Sequence, residues 1–329
     1  MLTPTKRQAL RDGIVIPAHP LALTADLKLD EPAQRGLTRH YRDAGVGGVA
    51  VGVHTTQFEI REAGLHERVL QLAIEESTDS MVMVAGVLGP TRQAVGEAMA
   101  ARGLGYDLAL VATPGWGEAG DAEILAGVAQ VADVMPVCGF YIQPAIGNRR
   151  FGFDFWRAYA QIDGVVAIKI APFDRYATID VVRAVVEAGR ANDIALYTGN
   201  DDNIVVDLLT PFRFGDEVVH IVGGLLGQWA VGAKPAVRLH AEVRELVRRG
   251  GPIPLELLTR AAELTDLNGA AFDPAHRFAG SIAGVNEILT RQGLLAGNWC
   301  LSEHERLSPG QAAEIDRTLA AYPWVVGQA

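Results

Sequence analysis

The sequence predicts an α/β fold, a (β/α)8 TIM barrel with a C-terminal helical extension. Short apolar runs alternate with longer helical segments eight times within about 240 residues, the pattern of a parallel sheet with helical crossovers. The first run leads into Pro17-Ala18-His19-Pro20, which cannot make the glycine-rich phosphate turn of a doubly wound open sheet. After Gly250-Gly251-Pro252 the alternation stops and only helical periodicity continues.

The strands are expected at 13–17, 46–53, 81–87, 107–112, 137–142, 165–170, 194–198 and 218–222. Between them, helices are expected at 31–44, 65–76, 91–104, 121–134, 155–162, 179–191, 203–209 and 235–249. Helices at 255–267, 282–292 and 309–321 follow, the last with Ser308 as N-cap before Pro309. Residues 1–250 are therefore expected to form the barrel that carries the active site, and residues 251–329 a helical extension packed on it.

Composition narrows the class. The 329 residues are 49% apolar and 21% charged, enough to build a full core. A net charge of −10 argues against nucleic acid or an anionic membrane as partner. No apolar stretch reaches the ~18 residues of a spanning helix, and the N-terminus lacks a signal-peptide apolar region, so a cytoplasmic protein is expected. Cys138 and Cys300 form neither a disulfide framework nor a zinc spacing. Only four of the 29 basic residues are lysines: Lys6, Lys28, Lys169 and Lys234. A lysine in an apolar strand therefore asks for a reason.

Barrel chemistry sits at the C-terminal ends of the strands. With period 2, Val165, Ala167 and Lys169 share the inner face of the sixth strand, placing Lys169 near the barrel top. On the fifth, Val137, Gly139 and Tyr141 are expected inside, with Phe140 and Ile142 outside. Tyr141 and Lys169 would then meet across neighbouring strands. Burial disfavours the ammonium and frees the amine to attack a carbonyl, while a phenol shuttles protons. The alternative is a buried lysine paired with a carboxylate such as Asp174 or Asp201.

These residues resemble the dihydrodipicolinate synthase/N-acetylneuraminate lyase superfamily of class I aldolases. Tyr141-Ile142-Gln143-Pro144 matches the family's Tyr-x-x-Pro segment, and Val166-Ala167-Ile168-Lys169 its Schiff-base strand. Gly199-Asn200-Asp201-Asp202 is similar to its glycine-acidic turn after strand seven, and Gly224-Leu225-Leu226-Gly227 to its G-x-x-G after strand eight. Leu307-Ser308-Pro309 is similar to the start of its final helix. The resemblance implies a lyase that forms an imine between Lys169 and pyruvate or another 2-oxo acid, with an aldehyde as second partner. It implies no metal or other cofactor, and a homo-oligomer.

The family's G-T-T-G-E segment, which holds the 2-oxo acid carboxylate, is altered here to His54-Thr55-Thr56-Gln57-Phe58. Aligned on its threonines, Thr55 and Thr56 bind the carboxylate, and Thr56 relays protons to Tyr141. Aligned on Gly52, Val53 and His54 take those places. His54 is then either a packed rim residue or an extra acid/base group. Gly227 and Trp116 are further candidate substrate contacts. Ile146 stands where true dihydrodipicolinate synthases carry an arginine for a second carboxylate, and Thr113-Pro114-Gly115-Trp116 replaces their aromatic pair. Both changes argue against that particular synthase activity unless Arg149 or Arg150 reaches the pocket.

Two further classes compete with this reading. A metal-dependent barrel would need carboxylates and histidines that converge, yet His220 lies at a strand start, far from Asp201 and Asp202. A catalytically silent ligand-binding member is the other, supported only by the altered threonine segment.

Overall fold

The computed structural model describes residues 2–147 and 149–327. Helix α1 (Pro4–Asp12) precedes the first strand, β1 (Val15–Pro17), and α2 (Glu31–Asp43) leads to β2 (Gly48–Val51). Helix α3 (His66–Glu76), β3 (Val82–Leu88), α4 (Thr91–Leu104), β4 (Leu108–Ala112), α5 (Asp121–Val134) and β5 (Val137–Ile142) continue the alternation. A short α6 (Pro144–Gly147) and α7 (Phe153–Ala160) precede β6 (Val165–Ala171), α8 (Arg175–Glu187), β7 (Ala195–Thr198) and α9 (Ile204–Leu209). A hairpin of β8 (Phe212–Phe214) and β9 (Glu217–Val219) comes next, then β10 (Ile221–Leu226), α10 (Gln228–Val231) and α11 (Ala233–Arg249). The chain ends in α12 (Leu255–Phe272), α13 (Ser281–Arg291) and α14 (Gln311–Ala321).

Eight of the strands form one parallel sheet, in the order β1-β10-β7-β6-β5-β4-β3-β2. The Ala18–Ala50 bridge and the Gly47 N–H to Val15 carbonyl bond close it into a barrel. The apolar side chains sort into two shells. Ala50, Val84, Leu110, Phe140, Ala167 and Leu225 are among those filling the barrel interior. Val49, Val111, Tyr141, Ile168 and Val182 belong to the shell between strands and helices.

The predicted fold class is the one observed, with differences in detail. The run 218–222 is not the eighth barrel strand. It straddles β9 and the start of β10, and the barrel strand itself runs through Gly223-Gly224. Those glycines hide the strand from a propensity reading, but the packing requires them: a Cβ at Gly223 would stand 2.7 Å from the Tyr197 ring, and at Gly224 2.6 Å from Trp229. Helix α14 starts at Gln311 rather than at 309, because Gly310 turns the chain at φ +86° and Ser308 spends its hydroxyl on Asp273. Helix α1 was not anticipated. It lies at the N-terminal end of the barrel, where Lys6 pairs with Asp107 at 2.7 Å and the Tyr197 phenol donates to the Leu10 carbonyl. No helix among the described residues is long and apolar enough to cross a membrane.

Candidate active site

The lysine faces inward, as the alternation of β6 requires. Its register partner on β5 is Phe140, so Phe140 shares the inner face, and Tyr141 pairs with outward-facing Ile170. The register shift between Val137 and Cys138 also turns Val165 outward. The expectation for β5 is therefore reversed: Cys138, Phe140 and Ile142 point in, and Val137, Gly139 and Tyr141 point out. Two packing constraints hold it so. A Cβ at Gly139 would meet the Tyr159 ring at 2.8 Å, so only a glycine fits on the outer face there. Tyr141 itself is locked among Phe151 and Trp156, its phenol donating to the Phe151 carbonyl at 3.1 Å and accepting from the Phe151 N–H at 3.2 Å. Tyr141 and Lys169 do not meet.

Lys169 lies in an apolar throat, 8% exposed, its Nζ 4.1 Å from the centroid of the Phe140 ring. Burial pushes its pKa down to about 8, against the opposing pull of the Asp201 charge. Gly199 makes room for it, since a Cβ there would stand 2.5 Å from Lys169 Cε and 2.7 Å from Ala171 Cβ. Asp201 is buried in the same cavity, with Oδ1 accepting from the Gln228 N–H at 3.3 Å. Burial raises its carboxyl to about 7, with the Lys169 charge working the other way. Asp174 is elsewhere: it caps α8 through the Ala177 N–H and pairs with Arg150.

A narrow cavity of about 60 Å³ opens in front of the lysine. At ~10–15 Å³ per water centre, that is room for a few waters or a small acid. His54, Thr55, Gln143, Asp201 and Ser281 bring polar atoms to its wall, and Gly227 lines it. A Cβ at Gly227 would press on Phe272 at 3.0 Å. His54 starts a 3-10 turn (His54–Thr56), its ring 5.7 Å from that of Phe58. Burial, aided by the nearby Lys169 charge, lowers its pKa to about 4, so the imidazole is a neutral base. Within the turn Thr56 N–H bonds Val53 and Gln57 N–H bonds His54, which leaves the His54 and Thr55 amides without a partner in the turn.

The remaining candidates sit outside the cavity lining. Thr56 is fully buried and its hydroxyl is spent on the loop, accepting from Gly52 N–H at 3.0 Å and Val53 N–H at 3.2 Å and donating to the His19 carbonyl at 2.6 Å. It cannot reach Tyr141 as a relay. Trp116 belongs to the outer shell, where its indole donates to Thr91 and its ring packs on Gly127 of α5. Gln57 adopts φ +68°, a conformation glycine takes easily and glutamine does not, at the position of the resembled family's glycine. Its side chain is retained by the Leu301 N–H, which donates to Oε1 at 2.6 Å.

Arg149 is tied to Asp121 and the Ala119 carbonyl, and neither it nor Arg150 lines the cavity. Phe140, Gln143, Phe272 and Ser281 were not expected in the site from the sequence. Phe140 was one register step from view, Gln143 lies just past the end of β5, and the last two come from the helical extension and had no local signal. No three His, Cys, Asp or Glu side chains among the described residues are grouped to hold a metal.

No family model and no curated protein matches the sequence. Solved structures do match in shape. A prophage protein of the dihydrodipicolinic acid synthase family from E. coli K12, solved with pyruvate, superposes with a TM-score of 0.78 at 18% identity, covering 94% of this chain and 98% of that one. Dihydrodipicolinate synthase from Aquifex aeolicus gives 0.78 at 18% identity, covering 96% and 99%. N-acetylneuraminate lyase from Fusobacterium nucleatum, complexed with pyruvate, gives 0.75 at 18% identity, also covering 96% and 99%. The chain has the fold of these synthase and lyase structures: an eight-stranded parallel barrel followed by C-terminal helices.

Proposed function

We propose that the chain is a divergent dihydrodipicolinate synthase/N-acetylneuraminate lyase family member, a Schiff-base lyase that acts on pyruvate or another 2-oxo acid through Lys169. The observation that carries this reading is the buried, inward lysine at the mouth of an apolar barrel, with a glycine at 199 that leaves space for it. At a pKa of about 8, roughly a tenth of the amine is neutral at pH 7, against well under a thousandth for an ordinary lysine.

The neutral amine adds to the keto carbon of the 2-oxo acid. The carbinolamine oxygen takes a proton and leaves as water, giving a protonated imine on Lys169. In the cleavage direction, the imine accepts the electron pair of the C3–C4 bond as a base removes the C4 hydroxyl proton and an aldehyde departs. The enamine is then protonated at C3, and water returns the lysine. Each proton step needs a carrier in the cavity. With Phe140 facing the lysine where a phenol was expected, the carriers are His54, a neutral base, and Asp201, a carboxyl poised near neutrality. The amides of His54 and Thr55, with the Thr55 hydroxyl, receive the carboxylate, and Gly227 lets it approach. Thr56 and Tyr141 hold the loop and the α7 packing rather than the substrate. The barrel (1–250) and the extension (251–329) act as one catalytic unit, in a homo-oligomer as the resemblance implies.

Borohydride trapping with pyruvate and a panel of longer 2-oxo acids tests the reading. One adduct is expected by intact mass, mapping to Lys169. Adducts confined to other lysines, or none across the panel, would overturn it.

A further inference from the structure

We infer that Ser281, at the start of α13, anchors the departing half of the substrate, and that this half carries a neutral oxygen, a hydroxyl or carbonyl, rather than a second carboxylate. The inference rests on the Schiff-base reading for which half departs, but the anchor itself is a matter of geometry. Ser281 lines the cavity that holds Lys169, is 4% exposed, and its hydroxyl has no hydrogen-bond partner among the described residues. A buried hydroxyl left unpaired is costly, and a ligand oxygen in the cavity would satisfy it.

The position is also built rather than incidental. Gln311 of α14 donates to the carbonyls of Ala270, Ala271 and Gly280 at 3.0–3.2 Å, tying the end of α12 to the start of α13. Asp273 accepts from the Gly280 N–H at 3.2 Å. The α12–α13 corner is thereby fixed, and Ser281 with it.

Charge decides the kind of oxygen. Among the described residues Lys169 is the one lysine or arginine on the cavity wall, and the imine occupies it. At the N-terminus of α13 the Glu305 carboxylate already takes the Ile282 N–H at 3.3 Å, and Asp201 is the one acid on the cavity wall among the described residues. Ile142, Ile146, Phe173 and Phe272 supply apolar wall beside them, and Gln143 is polar but uncharged. A second carboxylate would find no countercharge there, whereas a short apolar chain bearing one hydroxyl would find a partner.

The test uses analogues that cannot form an imine. Calorimetric titrations of 2,4-dihydroxypentanoate, 2-hydroxypentanoate and 2-hydroxyglutarate are made on the wild-type chain and on Ser281→Ala, with melting curves confirming that the variant folds. One neutral hydrogen bond corresponds to an advantage of about three- to tenfold for the dihydroxy acid over its deoxy counterpart. That advantage is expected in the wild type and lost in Ser281→Ala, with no advantage for the dicarboxylate. Equal binding of the first two, retention of the difference in Ser281→Ala, or tightest binding of 2-hydroxyglutarate would overturn the inference. Pyruvate trapping on the wild type is run alongside. Discrimination without an adduct upholds the anchor and removes the Schiff-base reading; an adduct without discrimination does the reverse.

Discussion

Lys169 combines a nucleophile's need for a free electron pair with a barrel's intolerance of charge. Its pKa of about 8 sets a pH profile: the initial rate of imine trapping should rise about tenfold per unit below pH 8 and level off above it. Because the Asp201 charge pulls that pKa upward, Asp201→Asn should move the midpoint down, and an unmoved midpoint would show that the two groups do not sense each other. The proposed proton carriers separate by substitution. His54→Gln should slow turnover about 10²–10⁴-fold with the fold intact. Tyr141→Phe should instead cost about 1 kcal/mol of stability, from the lost Phe151 bonds, and leave turnover within a few-fold. A collapse of turnover in Tyr141→Phe would return the relay to the phenol. That distinction was beyond the reach of the sequence: Phe140 and Tyr141 are adjacent aromatics of similar size. A strand's period of 2 says that they face opposite ways but not which one faces in. The lysine was legible, because an ammonium set amid β-branched neighbours carries a desolvation cost that ordinary packing does not repay. Thr56 was not, since the bond that spends its proton goes to the His19 carbonyl, far away in the chain.

At the scale of elements, the end of β7 and the loop after β2 hold the proposed site in place. Gly199→Ala should abolish trapping while the protein still folds, because the new methyl takes the space of Lys169 Cε. Full trapping in that variant would show that the lysine has another resting place. The β2 loop is pinned by Arg61, which bonds Glu97 through both Nε and Nη2 at 2.8 Å and donates to the Gly86 carbonyl at 3.0 Å. Arg61→Ala leaves the half-buried Glu97 charge unmatched, so about 3–5 kcal/mol of destabilisation is expected by denaturant titration. Most strands could be placed from apolar runs bounded by turns. The eighth could not, since glycines in β10 answer to the Tyr197 and Trp229 rings, which are tertiary neighbours.

For the whole molecule, the lysine–aspartate couple leaves a mark on stability. Asp201 titrates at about 7 in the fold against an ordinary 3.8, so between those values the native state holds the extra proton and stability falls as pH rises. Lys169 titrates at about 8 against 10.5, so the unfolded chain holds the extra proton there, and stability recovers between pH 8 and 10.5. Lys169→Met combined with Asp201→Asn should flatten both slopes and raise Tm by a few degrees near pH 7.5, because two buried charges that make no direct ion pair are removed. The barrel and its extension were both legible as separate patterns. Their sharing of one cavity was not, because it depends on where α12 and α13 dock. The other end of the barrel matters as well. With α1 lying across it, Lys6 held by Asp107 and Tyr197 fastened to Leu10, the well that holds Lys169 has a floor. Whatever enters by the neck must leave by it. Under the proposed cleavage, the two fragments would depart in file, the free one first and the one tethered to the lysine after it, so the order of release would be set by the plumbing of the barrel before any affinity is considered.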